Sequence, residues 1–139
     1  MSLDGMKELS RRAIEMWSSN NNGRPEDLFT VDYINHQEPD VEGGSSSKNL
    51  EEWKKLVGEY HKSFSDSRVS LLRQIAEGDL VVTHWEITAK QTGDFMEISS
   101  TGTEVSWRGV SIDKVNDGKI SESWVNWDKF SFLDGLGLV

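Results

Sequence analysis

No cysteine occurs in the 139 residues. That absence excludes disulfides, thiolate metal sites and a thiol nucleophile together. Basic residues are scarce as well: 15 Lys and Arg stand against 24 Asp and Glu, a formal net charge of −9. Nucleic-acid backbones and anionic membranes both demand clustered Lys and Arg, so neither is expected as a partner. No apolar run approaches the roughly 18 residues of a spanning helix, and the N-terminus lacks a signal-peptide apolar region, so a cytoplasmic location is expected. The three histidines, His36, His61 and His84, show no HxH or HxxxH spacing, and no metal site is expected. GxSxG, GxxxxGK[ST] and GxGxxG are all missing, which removes the nucleophile-elbow hydrolases, the phosphate-loop hydrolases and the Rossmann dehydrogenases.

What is present is one domain's worth of chain, residues 1–139, with six tryptophans beside two prolines. Met1-Ser2-Leu3 can be read as an expression scar before Asp4-Gly5-Met6. Leu9, Ala13, Met16 and Trp17 follow helical spacing from Met6, and the Ser18–Gly23 run stops that helix. Pro25 suits the first turn of a short helical piece ending at Phe29. Val31 to His36 reads as a short extended segment, and Glu42 to Ser47 as a polar loop. Asn49-Leu50-Glu51-Glu52 has the form of a capping box, followed by an apolar stripe of Leu50, Trp53, Leu56, Val57, Tyr60 and Phe64.

After Asp66 the apolar period changes to two, and four long strands follow. The last two are joined at Asp117-Gly118, a strong hairpin signal. Lys129 to Leu136 reads as a short apolar tail with a helical turn. Helices followed by antiparallel strands predict an α+β fold, the N-terminal helices packed on a strongly curved antiparallel sheet that closes into a cone.

A two-residue loop at Asp117-Gly118 sets Val115 opposite Ile120, Asp113 opposite Glu122, Ser111 opposite Trp124 and Trp107 opposite Asp128. Strand alternation then lines Trp107, Trp124, Asn126 and Asp128 along one face. A carboxylate among tryptophans is desolvated, which raises its pKa and makes it a better base toward a weakly acidic carbon. Asp128 is therefore the expected catalytic base for proton abstraction next to a carbonyl. Asn126, His84, His36, Tyr33 and indole N–H groups are candidate donors to the enolate oxygen, and such chemistry needs neither cofactor nor metal. The plainer reading stands beside it. A strand-end Asp commonly caps or faces solvent, tryptophans commonly fill cores, and His36 and His84 fit hydrogen-bonded scaffold roles.

Several segments, in order, resemble the SnoaL-like polyketide cyclases, or ester cyclases, of the nuclear transport factor 2-like superfamily. They are Tyr33-Ile34-Asn35-His36, Phe64-Ser65-Asp66, Thr92-Gly93-Asp94-Phe95, Thr101 to Gly109, Asp117-Gly118-Lys119-Ile120, Glu122-Ser123-Trp124, Asp128 and the terminal Leu133 to Gly137. The resemblance covers about residues 6 to 137. It implies a cone-shaped α+β barrel, a homodimer formed through the sheet, and cofactor-free aldol cyclisation of a small hydrophobic, polyketide-like substrate. It also implies that Asp128 is the acid/base and that His36 lines or orients the pocket. Gln91, where the family often has His, Ser99-Ser100, and the charged Asp113 before the hairpin depart from its pattern. The expected function is thus an enzyme, cyclase-like or isomerase- or dehydratase-like, with a non-catalytic ligand-binding or dimerisation domain of the same fold as the alternative.

Overall fold

The computed structural model describes all residues except Val41, Glu42 and Met96. Helix α1 spans Leu3–Ile14 and continues through a 3-10 turn, Glu15–Trp17. It begins earlier than the apolar spacing predicts, because the Ser2 hydroxyl accepts from the Gly5 amide at 2.9 Å as its N-cap. Pro25 opens the short α2, Pro25–Leu28, as expected, and β1, Phe29–Glu38, follows directly. Strand β2, Ser46–Asn49, occupies part of the stretch read as a polar loop; Glu42 of that stretch lies outside the described residues.

Helix α3, Leu50–Ser63, has the capping box that its first residues encode: Asn49 accepts from the Glu52 amide, and Glu52 accepts from the Asn49 amide. Its stripe of Leu50, Trp53, Leu56, Val57 and Tyr60 is buried. Four long strands then run in sequence: β3 Phe64–Glu77, β4 Leu80–Gln91, β5 Glu104–Asn116 and β6 Lys119–Trp127. A last helix, α4, spans Lys129–Gly135. Among the described residues no helix is long and apolar enough to cross a membrane.

The six strands form one curved sheet in the order β2-β1-β6-β5-β4-β3. The expected antiparallel meander is there in β3 to β6, and β1 adds a parallel pairing with β6. The α+β class is as predicted, with the helices on the sheet's inner face. Two apolar clusters fill the interval. One joins α1, α2, α3 and the near parts of β1 and β6; the other joins α3, β4, β5 and α4.

The β5–β6 hairpin decides what faces inward. Asp117 and Gly118 both adopt positive φ, 50° and 78°, the conformation a two-residue hairpin turn requires. Val115 pairs with Ile120 as expected, but the next pair is Lys114 with Glu122, leaving Ser121 as an unmatched bulge residue. One extra residue reverses every later side chain on β6. Asp113 therefore faces Ser123 instead of Glu122, and Ile112 faces Trp124. The predicted register beyond Ile120 is corrected accordingly. It would have set two carboxylates, Asp113 and Glu122, against each other in the interior. The bulge turns Glu122 outward.

Candidate active site

Between the helices and the inner sheet face lies a cavity. The space open to the centre of a water molecule is about 100 Å³, within an empty volume of about 880 Å³ that runs out into solvent. Alternation on the strands supplies most of its wall: Tyr33, Asn35 and Gln37 from β1; Thr83, Trp85 and Ile87 from β4; Trp107, Ser111 and Asp113 from β5; Ser123, Val125 and Trp127 from β6. Ser10, Ala13 and Ile14 of α1, Trp53, Leu56 and Tyr60 of α3, and Phe132 of α4 complete much of it.

The wall is divided by chemistry. Trp107 packs edge-on against Phe132 (centroids 4.9 Å apart) and Tyr60 (6.3 Å), and Trp127 lies 5.5 Å from Phe132. Further along β5 and β6 the lining turns polar, and its centre is Asp113. That carboxyl is 6 % exposed. It accepts from Ser10 Oγ at 2.8 Å and from Ser123 Oγ at 2.5 Å. Burial pushes its pKa up, and the Ser123 and Ser10 hydroxyls pull it partly back. Among the described lining residues no Lys, Arg or His offers compensating charge.

A row of side chains leads from β1 to this carboxyl. Gln37 Nε2 donates to Asn35 Oδ1, and Asn35 Nδ2 donates to the Tyr33 hydroxyl at 2.8 Å. Tyr33 in turn lies within hydrogen-bonding reach of Ser123, and burial together with the nearby Asp113 charge raises its pKa. On the other side of Asp113, the Trp85 indole N–H donates to Ser111 Oγ at 2.9 Å. Gly109 makes that possible: a Cβ there would stand 2.4 Å from Trp85 Cζ2. The indole lies where a side chain on β5 would otherwise project.

Of the residues expected at the site, Tyr33 and Trp107 line the cavity and the others do not. Trp124 and Asn126 face outward because of the Ser121 bulge. His36 also faces outward. Its Nε2 lies 2.7 Å from Glu122 Oε2, its Nδ1 2.9 Å from Ser47 Oγ, and its ring stacks on Trp124 at 5.5 Å. His84 is on the outer face as well, accepting from Arg73 Nη1 at 2.9 Å. Asp128 ends β6 and caps α4: Oδ1 accepts from the Ser131 amide at 2.9 Å and Oδ2 from its hydroxyl at 2.6 Å. It is exposed, and those bonds hold its carboxyl below the usual carboxylate range, opposite to the direction a base near neutral pH needs.

The polar cluster of Asp113, Ser10, Ser123, Asn35, Gln37 and Ser111, with Trp85, was missed by sequence reasoning. One signal was available: a register that buries Asp113 against Glu122 is disfavoured by like charge, and a one-residue slip relieves it.

The sequence model of the SnoaL-like polyketide cyclase family matches residues 7–136. Solved structures agree on the fold. AclR, a candidate hydroxylase from Streptomyces galilaeus, is similar with a TM-score of 0.84 and 25% identity, over 99% of this chain and 88% of that one. TsrD from Streptomyces laurentii gives 0.82 at 18% identity, over 100% and 99%. IdmH, a candidate polyketide cyclase from Streptomyces antibioticus, gives 0.79 at 23% identity, over 95% and 98%. No match is found among the curated proteins. With nearly its whole length matched and the fold in agreement, the chain belongs to the SnoaL-like polyketide cyclase family.

Proposed function

We propose that the protein is an acid/base enzyme in which Asp113 exchanges a proton with a carbon next to a carbonyl group, on a small hydrophobic, polyketide-like molecule. One observation carries the reading. Among the described residues that line the cavity, Asp113 is the only carboxylic acid, and it is buried with no cation beside it. Desolvation of that kind brings a carboxylate's basicity closer to that of the carbon acid it must deprotonate. The Asp113 carboxylate takes the α-proton, the C–H electron pair becomes the C=C bond of an enolate, and the carbonyl π pair moves onto oxygen. In an aldol ring closure the enolate carbon then attacks a second carbonyl, and the Asp113 carboxylic acid returns its proton to the new alkoxide. The aromatic end of the cavity suits the apolar body of the substrate and excludes water from the enolate.

2-Tetralone, a flat ketone with an apolar ring, is a suitable probe. Wild-type protein is expected to accelerate exchange of its α-protons in D2O over buffer, with a rate that rises as pH passes up through the Asp113 pKa. Asp113→Asn is expected to lose 10²- to 10⁴-fold, about the usual worth of a positioned base. Exchange by the variant at the wild-type rate refutes the assignment. The cavity also supports a reading without turnover; retained 2-tetralone binding with no exchange by wild type favours it.

We also propose a homodimer through the outer sheet face, where Val110 is exposed and Ile112 and Trp124 are half-buried. Sedimentation equilibrium tests it: a dimer that Val110→Lys converts to monomer is expected, and a monomeric wild type refutes it.

A further inference from the structure

The carbonyl oxygen that receives charge in this chemistry needs a donor of its own, and the cavity holds one whose direction is fixed. Ser111 stands two residues before Asp113 on β5, so the two side chains share the inner face and are about 6.6 Å apart along the strand. That spacing suits the two ends of one H–C–C=O unit, with the base at the C–H and the donor at the oxygen. The Ser111 oxygen already accepts from Trp85 Nε1 at 2.9 Å. A hydroxyl carries one proton, and among the described residues no acceptor lies against it. The cross-strand neighbours of Ser111 do not take it: Val125 is apolar, and the Thr83 hydroxyl, which accepts from Gln74 Nε2 at 3.1 Å, makes no hydrogen bond with Ser111.

We infer that the Ser111 hydroxyl donates to the carbonyl oxygen of the substrate, and that Trp85, lying across Gly109, is the positioning residue that aims it. The indole occupies the Ser111 lone pair on the wall side and so directs the O–H toward the cavity. It does this without adding charge, which suits an uncharged ketone; the described lining offers no cation for a carboxylate to pair with. Gly109 is part of the device, since any side chain there displaces the ring. The inference rests on the Asp113 reading for its catalytic meaning, but the contact between Ser111 and an oxygen is a binding property and can be measured alone.

The test combines 2-tetralone exchange with equilibrium dialysis of 2-naphthol, a flat analogue of its enol, and of 2-methylnaphthalene, which replaces the hydroxyl by a methyl of similar size. In wild type, 2-naphthol is expected to bind about tenfold more tightly than 2-methylnaphthalene. Ser111→Ala is expected to lose that preference while holding 2-methylnaphthalene as before, and to slow exchange about 10²-fold in kcat with the pH midpoint unmoved. Trp85→Phe keeps an aromatic ring but no N–H. It is expected to show the same loss of preference, with kcat falling more than KM changes. If Ser111→Ala keeps the preference and exchanges within threefold of wild type while Asp113→Asn is inactive, the inference is overturned and the Asp113 reading stands. If Asp113→Asn exchanges normally, the Asp113 reading fails. The naphthol preference then still decides whether Ser111 holds the oxygen: its loss in Ser111→Ala supports the contact, and its survival overturns that as well.

Discussion

Replacing Gly109 by Ala is expected to destabilise the protein by about 2–4 kcal/mol, although adding a methyl to a strand glycine ordinarily helps. The new Cβ would stand 2.4 and 2.6 Å from Trp85 Cζ2 and Cη2 and 2.8 Å from the Asn126 carbonyl oxygen. The ring cannot swing away freely, because Trp85 is 4 % exposed and tied to Ser111. The carbonyl cannot retreat freely either, since Gly109 pairs with Trp127 in the β5–β6 ladder. Forcing one extra carbon into such a site costs about 1–3 kcal/mol. Tearing the buried indole N–H from its acceptor adds about 1–3 kcal/mol. The smaller entropy of the unfolded alanine chain offsets about 0.5–1 kcal/mol. Urea unfolding followed by tryptophan fluorescence measures the balance as a lowered midpoint at unchanged slope. Gly58→Ala is the control. Gly58 is exposed on α3 with nothing within 4 Å of its Cβ position, so that change is expected to stabilise by about 0.5–1 kcal/mol. A Gly109→Ala protein as stable as wild type refutes the close approach of Trp85 to β5, and with it the fixed direction of Ser111.

Three further outcomes follow from the site. Asp113→Asn is expected to gain stability relative to wild type as pH rises. Below the ordinary carboxylate range Asp113 is protonated folded and unfolded; above it the unfolded chain ionises first, so the native state is progressively disfavoured up to the raised pKa, at about 1.4 kcal/mol per unit. Thermal melts of both proteins across pH 4 to 8 check the sign, and a constant gap contradicts it. Asp128→Ala is expected to cost about 1 kcal/mol of stability through loss of the α4 cap, and to leave 2-tetralone exchange unchanged. Asn49→Ala, which removes the α3 capping box, is expected to cost a similar amount in urea unfolding without changing the 2-naphthol preference.

Local chemistry in the sequence located the elements well and the site poorly, and one residue separates the two. Asn49 and Glu52 mark the start of α3 because their bonds are made within four residues. Asp117-Gly118 marks the hairpin because its positive φ angles are a property of those two residues. The face that β6 presents is not local in that sense. It depends on Ser121, which has no glycine or proline beside it to announce a bulge, and whose insertion is favoured by what it keeps apart: Asp113 from Glu122. From that bulge follow the outward turn of Trp124 and Asn126 and the inward turn of Ser123, the partner that Asp113 needs. Asp128 illustrates the same limit. Its expected desolvation presumed a strand running through it, whereas the chain ends β6 at Trp127 and uses the carboxylate to start α4. Trp107 faces inward on a strand whose alternation is unbroken, and Tyr33 faces inward in step with Asn35 and Gln37, although the pairing of β1 is irregular between Phe29 and Ile34.

The proposed chemistry assigns the acid/base role to the buried Asp113 and not to the exposed Asp128. The most direct measurement is α-proton exchange of 2-tetralone in D2O, followed by proton NMR, for wild type, Asp113→Asn and Asp128→Asn, each with native circular dichroism. Exchange by wild type and Asp128→Asn at equal rates is expected, with a 10²- to 10⁴-fold loss in Asp113→Asn. Loss in Asp128→Asn with full activity in Asp113→Asn contradicts the assignment.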